Sequence, residues 1–232
     1  MTQLLERPPL SDVIDEPRTW WPDRRICAGL FLGTMLFYIA VLRGDFEVYD
    51  TQSMLAVTQN LVNHGSLRET GTHFALLTTW SWYGLGVSLV AVPAYALSKL
   101  IGHFDIMASL INPFFTACSV VLIFRIAREL KWRSLYGVIS ALSFGIFSMA
   151  VWYTTELLSE PGVILGIFVM IFAIIRWRNG WSYAPLVASV AVAWAIQFRN
   201  DSVLNVGAGL LAIPLFVPWS TIFSKRTFEL FI

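Results

Sequence analysis

Long apolar stretches make up most of the chain, and short polar or charged stretches separate them. Seven of these stretches are long enough to form helices across much of a bilayer; they comprise residues 26–42, 84–101, 106–124, 134–153, 161–175, 183–198 and 203–219. Composition agrees, because 13% of the residues are charged, whereas soluble domains contain about 25%. The pattern predicts an all-α polytopic membrane protein, since helices satisfy their own backbone hydrogen bonds in hydrocarbon.

The stretch 84–101 differs from the other six. It contains Gly84, Gly86 and Pro93, and it follows Trp82. Glycine, proline and an aromatic flank are typical of a helix that lies at the bilayer surface or dips into it. We therefore expect about six transmembrane helices, with the 84–101 segment as one of two interfacial helices in the first outer loop.

The positions of lysine and arginine favour this six-span arrangement. With the N-terminus in the cytoplasm, most of the 16 basic residues face the cytoplasm. These are Arg7, Arg18, Arg24, Arg25, Arg125, Arg128, Lys131, Arg133, Arg176, Arg178, Lys225 and Arg226. If 84–101 crossed as well, every later loop would invert, against the cytoplasmic preference of basic residues in short loops.

The six spans divide the chain into three parts. Residues 1–25 form a cytoplasmic tail, and residues 26–220 form the transmembrane module, whose extracytoplasmic loop comprises residues 43–105. Residues 221–232 form a cytoplasmic end that looks truncated, because the sequence stops in an apolar run without a polar tail. We expect a multi-pass protein of the plasma membrane with both termini in the cytoplasm.

The same arrangement collects acidic side chains at the outer face. They lie at the ends of the apolar stretches and comprise Asp45, Glu47, Asp50, Glu156, Glu160 and Asp201. Carboxylates at the mouth of a membrane helix are costly unless water, a substrate or a partner charge satisfies them. We therefore expect these residues to act on a substrate at the outer membrane surface.

Residues 50–65 have the pattern of an amphipathic helix. Their apolar positions recur at helical spacing and form one stripe, which comprises Met54, Val57, Leu61 and Val62. Asp50 can cap the first turn and Gly65 can end the last one. The helix is expected to lie in the interface with its apolar side towards the membrane. Its N-terminal carboxylate then faces an aqueous cavity, although a capping role alone also explains Asp50.

At this point the sequence resembles the GT-C membrane glycosyltransferases of the protein O-mannosyltransferase and lipid A aminoarabinose transferase type. The register from Asp50 to Gly65 is similar to the helix that follows the first span in that family. The run Trp82-Tyr83-Gly84-Leu85-Gly86 resembles its second interfacial segment. Ser159-Glu160 resembles the acidic position at the outer start of its fourth span. Asp45, four residues before Tyr49, can be aligned in place of Asp50, so the register stays open.

The resemblance implies an enzyme that transfers a sugar from a polyprenyl-phosphate donor to an acceptor on the extracytoplasmic face. Asp50 would be the general base, because a carboxylate can take the proton of an acceptor hydroxyl. The outward arginines Arg43, Arg68 and Arg199 would neutralise the leaving phosphate. The other candidates for substrate binding are Asp45, Glu47, Tyr83, Glu156, Glu160 and Asp201. The cofactor stays unknown, with a divalent cation at Glu156 and Glu160 as one option.

Other functions remain open at this stage. A transporter would place ionisable groups near the middle of the membrane, whereas the charges of this chain gather at one face. An inactive or truncated GT-C-like protein, or a scaffold, also fits, because members of the family usually run longer. The net charge of +1 indicates no nucleic-acid partner. The expected partners are the lipid-linked donor and membrane lipids.

Overall fold

The computed structural model describes residues 20–42, 48–68, 83–147 and 149–204, together with individual positions between 207 and 222. The described residues are helical apart from turns and connecting segments, which confirms the predicted all-α class. The helices are α1 (Trp20–Val41), α2 (Tyr49–His64), α3 (Gly86–Val90), α4 (Val92–Ile101), α5 (Phe104–Ser109), α6 (Ile111–Glu129), α7 (Ser134–Phe147), α8 (Ala150–Thr155), α9 (Glu160–Arg178), α10 (Ala184–Phe198) and α11 (Trp219–Ile222).

Within the described part of the chain, three helical segments are long and apolar enough to cross a membrane. They are Asp23–Val41, Phe104–Glu129 and Glu160–Arg178. The apolar helices Gly86–Ile101, Ser134–Phe147 and Ala184–Phe198 are shorter. The 14 residues of α7 measure about 21 Å, less than the hydrocarbon core of about 30 Å. The long helices support a membrane location.

Helix α6 lies at the centre of the bundle, where it contacts α1, α7 and α9, while α9 also packs along α10. Glycines at two of these interfaces let the backbones approach closely. A Cβ atom at Gly145 of α7 would lie 2.6 Å from Val120 Cγ2, and one at Gly166 of α9 would lie 2.9 Å from the carbonyl oxygen of Ala191. The hydroxyl of Tyr38 links α1 to α7 by donating a 2.6 Å hydrogen bond to the carbonyl of Gly145.

Charge is distributed unevenly between the two ends of the bundle. Short connections make α6 and α7, and likewise α9 and α10, antiparallel neighbours, so the end of α6, the start of α7 and the end of α9 meet at one end. There Arg128 pairs with Asp23 at 3.2 Å and Arg176 pairs with Glu129 at 2.9 Å. This basic end contains Arg24, Arg25, Arg125, Arg128, Lys131, Arg133, Arg176 and Arg178. The opposite end of the bundle carries the candidate site.

Helix α2 ends as the sequence predicts but begins differently. Gly65 has the left-handed conformation (φ 64°), and its N–H bonds the carbonyl of Leu61. At the other end, the N-cap residue is Val48, without a side-chain hydrogen bond. The prediction that Asp50 caps the helix is therefore wrong, because Asp50 lies inside the first turn and its side chain bonds elsewhere.

The buried face of α2 is more polar than the predicted stripe. Met54 and Val57 do not face the membrane as predicted: they are buried within the protein, Met54 in one core cluster with Val87, and the hydroxyl residues Thr51, Ser53 and Thr58 are buried with them. Thr58 donates a 3.0 Å hydrogen bond to the carbonyl of Ser88 in α3. This face packs on α3 and α4. The packing supplies protein partners of the kind that buried hydroxyl groups need.

Two apolar stretches are interrupted in the structure. The segment 84–101 forms α3 and α4, with Ala91 between them and proline in the first turn of α4. The stretch 134–153, expected as one helix, instead forms α7, which ends at Phe147, and α8, which starts at Ala150. The second interruption places the end of α8 and the start of α9 near the N-terminal part of α6.

Candidate functional site

A cavity of about 230 Å³ lies at the end of the bundle opposite the basic end. It is enclosed by the start of α2, the segment before α3, the start of α9 and the end of α10. Its polar lining comprises Asp50, Tyr83, Ser159, Glu160, Arg199, Asn200 and Asp201, and its apolar lining includes Met54, Leu158 and Phe198. The cavity is therefore built where segments far apart in sequence meet.

Asp50 is oriented by a tyrosine from the segment before α3. The hydroxyl of Tyr83 donates a hydrogen bond of 2.5 Å to Asp50 Oδ1. Hydrogen bonds to an ionised carboxylate are short and stronger than neutral ones. No other described side chain bonds the Asp50 carboxylate. One oxygen of Asp50 is thus held by Tyr83, while the carboxylate faces the cavity.

Arg199 joins two other carboxylates across the cavity. Its Nη1 donates to Glu160 Oε1 in an ion pair, and its Nε donates to Asp201 Oδ1 at 3.0 Å. Partial burial lowers the pKa of the Arg199 guanidinium, but the hydrogen bond and charge of Asp201 and the charge of Glu160 raise it, and the net shift is upward. The guanidinium therefore stays charged, with two of its five N–H donors occupied.

Phe198 fixes the end of α10 beside the cavity. Its ring lies against Gly86 of α3 and Gly162 of α9, where a Cβ atom on either glycine would overlap the ring. Gly84 likewise lies on the backbone carbonyl of Gln197. Because Arg199 directly follows Phe198, these close approaches set the position of the guanidinium.

The ionisable lining has an excess of negative charge. Three carboxylates, those of Asp50, Glu160 and Asp201, face one guanidinium, that of Arg199, which gives a formal charge of −2. Such a lining favours proton acceptance, hydrogen bonds from hydroxyl groups and cation binding. An anionic group is disfavoured there unless a further positive charge accompanies it.

The structure brings together five of the residues predicted to form a site. They are Asp50, Tyr83, Glu160, Arg199 and Asp201. Glu156 does not line the cavity; it is 4% exposed and its backbone carbonyl accepts a hydrogen bond from Asn112. Arg68 is exposed beyond the far end of α2, about 20 Å along the helix from Asp50. The predictions for Arg43, Asp45 and Glu47 lie outside the described residues.

Some residues at the site were missed from the sequence. Ser159 and Asn200 line the cavity, and neither has a local pattern that separates it from an ordinary polar residue at a helix end. In the sequence, Asn112 stands out only as a polar residue in an apolar stretch.

In the described segments no group of three or more His, Cys, Asp or Glu side chains could hold a metal ion. The divalent cation that the sequence left as an option at Glu156 and Glu160 therefore has no such group of ligands among the described residues.

Comparisons with known proteins do not assign a family. No family model and no solved structure matches the chain. One curated protein, interleukin-17 receptor E of Rattus norvegicus, is 32% identical over 119 residues, which is 51% of this chain and 18% of that receptor. The chain thus spans less than a fifth of the length of the relative it matches. The function is therefore argued from the cavity.

Proposed function

We propose that the protein is a membrane glycosyltransferase of GT-C type. It transfers a sugar from a polyprenyl-phosphate donor to an acceptor on the extracytoplasmic face of the plasma membrane, with Asp50 as general base. The observation that carries this proposal is the cavity at which Asp50, Tyr83, Glu160, Arg199 and Asp201 meet. Those residues come from four separate segments, and the sequence alone predicts all five as site residues.

The proposed topology has six spans with both termini in the cytoplasm. It is supported by the basic end, because arginine and lysine in short loops favour the cytoplasmic side. The cavity at the other end then opens towards the outer leaflet. The three long helices are the first, second and fourth spans, and α7 with α8, α10 and the 203–219 stretch supply the others.

Asp50 is placed to act on a hydroxyl group. In the proposed reaction, the acceptor oxygen bonds the anomeric carbon of the sugar while the bond from that carbon to the phosphate oxygen breaks. Asp50 takes the acceptor proton, and polyprenyl phosphate leaves with the electron pair. The hydrogen bond from Tyr83 fixes one carboxylate oxygen, and correct orientation of a base is a large part of its efficiency.

The other carboxylates and Arg199 bind the substrates. Glu160 and Asp201 accept hydrogen bonds from sugar hydroxyls, which suits acceptor-only groups. The N–H donors of Arg199 that no described residue occupies bind the phosphate, because a guanidinium matches phosphate geometry.

The formal charge of −2 in the lining requires another cation when the lipid phosphate is bound. Arg43 is the best candidate in the sequence, because it directly follows the first span. Its position lies outside the described residues. The proposal therefore includes Arg43 as a second phosphate-binding residue and uses no metal in any step.

A transfer assay tests the proposal directly. The purified chain would be incorporated into lipid vesicles with radiolabelled polyprenyl-phosphate sugars, and transfer to added acceptors would be measured. We expect transfer by the parent and its loss in Asp50→Asn. A folded parent that transfers none of a broad donor set, or equal transfer by Asp50→Asn, would overturn the proposal in favour of an inactive GT-C-like protein.

A further inference from the structure

The segment between α8 and α9 is buried without being helical. Glu156, Leu157 and Leu158 are 4%, 0% and 8% exposed, and Glu156 has an extended backbone with φ −106° and ψ 152°. Backbone carbonyls in such a segment have no helical partners and need other donors; that of Glu156 accepts one 3.0 Å hydrogen bond from the N–H of Leu158. The segment leads directly into Ser159 and Glu160, both of which line the cavity.

Two side chains from other helices provide those donors. Asn112 of α6 donates from Nδ2 to the carbonyl of Glu156 at 2.7 Å and to that of Leu158 at 3.0 Å. Thr51 of α2 donates to the carbonyl between them, that of Leu157, at 3.0 Å. Three consecutive carbonyls are thus each held by a side chain from outside the segment.

The chemistry around Asn112 fixes which side of its amide faces the segment. Its three near neighbours are carbonyl oxygens, including that of Tyr153 at 3.2 Å, so only the NH₂ group can face them. Asn112 is 1% exposed, and its Oδ1 has no hydrogen-bond partner among the described residues. The buried, unsatisfied oxygen of Asn112 has a desolvation cost that an apolar side chain would avoid. The contribution of this amide therefore comes from its NH₂ donors.

We propose that Asn112 is a positioning residue for the site, an inference that rests on the proposed function. Thr51 directly follows Asp50, and Glu160 lies two residues after the buried segment. The hydrogen bonds from Asn112 and Thr51 therefore connect the start of α2, which carries Asp50, to the segment that precedes Glu160. Loss of the Asn112 amide leaves two of those carbonyls without their side-chain donor, and the Glu160–Arg199 pair moves with the segment.

The test uses a cysteine reporter that does not depend on sugar transfer. Ser159→Cys is introduced into the full chain with Cys27 and Cys118 replaced by alanine, and its rate of reaction with a membrane-impermeant maleimide is measured. Asn112→Leu keeps a similar side-chain volume but removes the donors. Ser119→Ala is the matched control, because Ser119 is buried in the same helix and, among the described residues, its hydroxyl bonds only the carbonyl of Phe115 in that helix.

We expect Asn112→Leu to raise the labelling rate about tenfold or more over the parent reporter, because local opening of the segment becomes easier. Ser119→Ala should label at the parent rate. For Asn112→Asp, the labelling rate divided by that of the parent reporter at the same pH should be closer to one at about pH 5 than at about pH 8. A neutral carboxyl group retains one donor, whereas a carboxylate has none. If Asn112 contributes by packing alone, Asn112→Leu should not change the labelling rate. Asn112→Asp should then label no more slowly than Asn112→Leu at either pH.

Transfer kinetics separate the inference from the proposed function. If the parent transfers sugar, Asn112→Leu should lower kcat more than Ser119→Ala does, measured at a temperature at which both variants remain folded. An unchanged labelling rate, or an unchanged kcat in an active parent, overturns the role of Asn112. An inactive parent in which labelling responds as expected overturns the glycosyltransferase proposal and leaves Asn112 holding the buried segment.

Discussion

Tyr83 and Asp50 are 33 positions apart in sequence, and the tyrosine hydroxyl donates a 2.5 Å hydrogen bond to the aspartate. This bond connects the segment before α3 to the first turn of α2. A carboxylate that begins a surface helix is free to rotate, whereas Asp50 has one oxygen held in place. The hydrogen bond from Tyr83 therefore gives Asp50, the proposed base, a fixed orientation.

Tyr83→Phe should lower kcat about tenfold, because a hydrogen bond to a charged group contributes about 1.5–3 kcal/mol and orients the base. Tyr95→Phe is the matched control: the Tyr95 hydroxyl accepts a 2.9 Å hydrogen bond from Asn63 at an exposed site. Steady-state transfer assays on both variants check the expectation. Equal effects of the two substitutions would show that the Tyr83 hydroxyl has no special role.

Asp50→Asn should reduce transfer about a hundredfold or more while the protein remains folded. The structure sharpens this expectation, because Asp50 is not the N-cap of α2 and its loss removes no cap. Asp105→Asn is the control, since Asp105 also lies in the first turn of a helix but is exposed outside the cavity. Asp45→Asn tests the alternative register, and a larger loss there than at Asp50 would assign the base to Asp45.

The outer acids could be anticipated from the sequence because charge is rare in this chain. In the proposed topology the basic residues assign one side of the membrane to the cytoplasm, and the acids in the connections without basic clusters then share the opposite side. That reasoning selected Glu160 and Asp201 correctly as neighbours of Asp50 at one cavity. It also selected Glu156, which lies four residues before Glu160. Glu156 lies at the end of an apolar stretch as predicted, but its extended backbone and its burial leave it outside the cavity lining.

Tertiary contacts that have no local pattern could not be anticipated. The polar buried face of α2 depends on carbonyls of α3 and of the segment before α9, which are remote in sequence. The interruption between α7 and α8 has no proline to mark it. Gly86 and Gly162 approach the ring of Phe198 so closely that neither leaves room for a Cβ atom. This contact involves three different helices, so no local sequence pattern predicts it. Apolar pattern therefore predicts the helices, while the shape of the cavity depends on these contacts.

Arg199→Lys should raise the KM for the donor about tenfold with a smaller change in kcat, because an ammonium cannot reproduce the guanidinium fork. Arg178→Lys at the basic end is the control. The hydrogen bond and charge of Asp201 and the charge of Glu160 outweigh burial and raise the pKa of Arg199 above its ordinary value, so the group remains charged throughout the neutral pH range. The effect of Arg199→Lys should accordingly be the same from about pH 6 to about pH 9. A strong pH dependence of that effect would contradict the assignment.

The topology can be tested by cysteine labelling in a chain that lacks Cys27 and Cys118. Asp105→Cys should react with an impermeant reagent added outside intact cells, because it precedes the second proposed span. Leu130→Cys, at the turn between α6 and α7, should react only after permeabilisation. Both positions are exposed, so access to the reagent depends on the side of the membrane. Labelling of Leu130→Cys from outside would overturn the six-span arrangement.

Gly162→Ala should both destabilise the protein and impair transfer. The added methyl group overlaps the ring of Phe198, and overpacking of this kind costs about 1–3 kcal/mol. Gly33→Ala is the control, because a Cβ atom at Gly33 meets nothing within 4 Å. Thermal unfolding in detergent measures the stability of each variant.

A second substitution distinguishes overlap with Phe198 from a general effect on α9. Phe198→Leu removes the ring that the new methyl group meets, so Gly162→Ala combined with Phe198→Leu should be more stable than the sum of the two single changes predicts. Transfer should recover in part, since Arg199 follows Phe198 and returns towards its partner Glu160. If the two substitutions are additive in stability, the close approach of Gly162 to Phe198 does not set the position of Arg199.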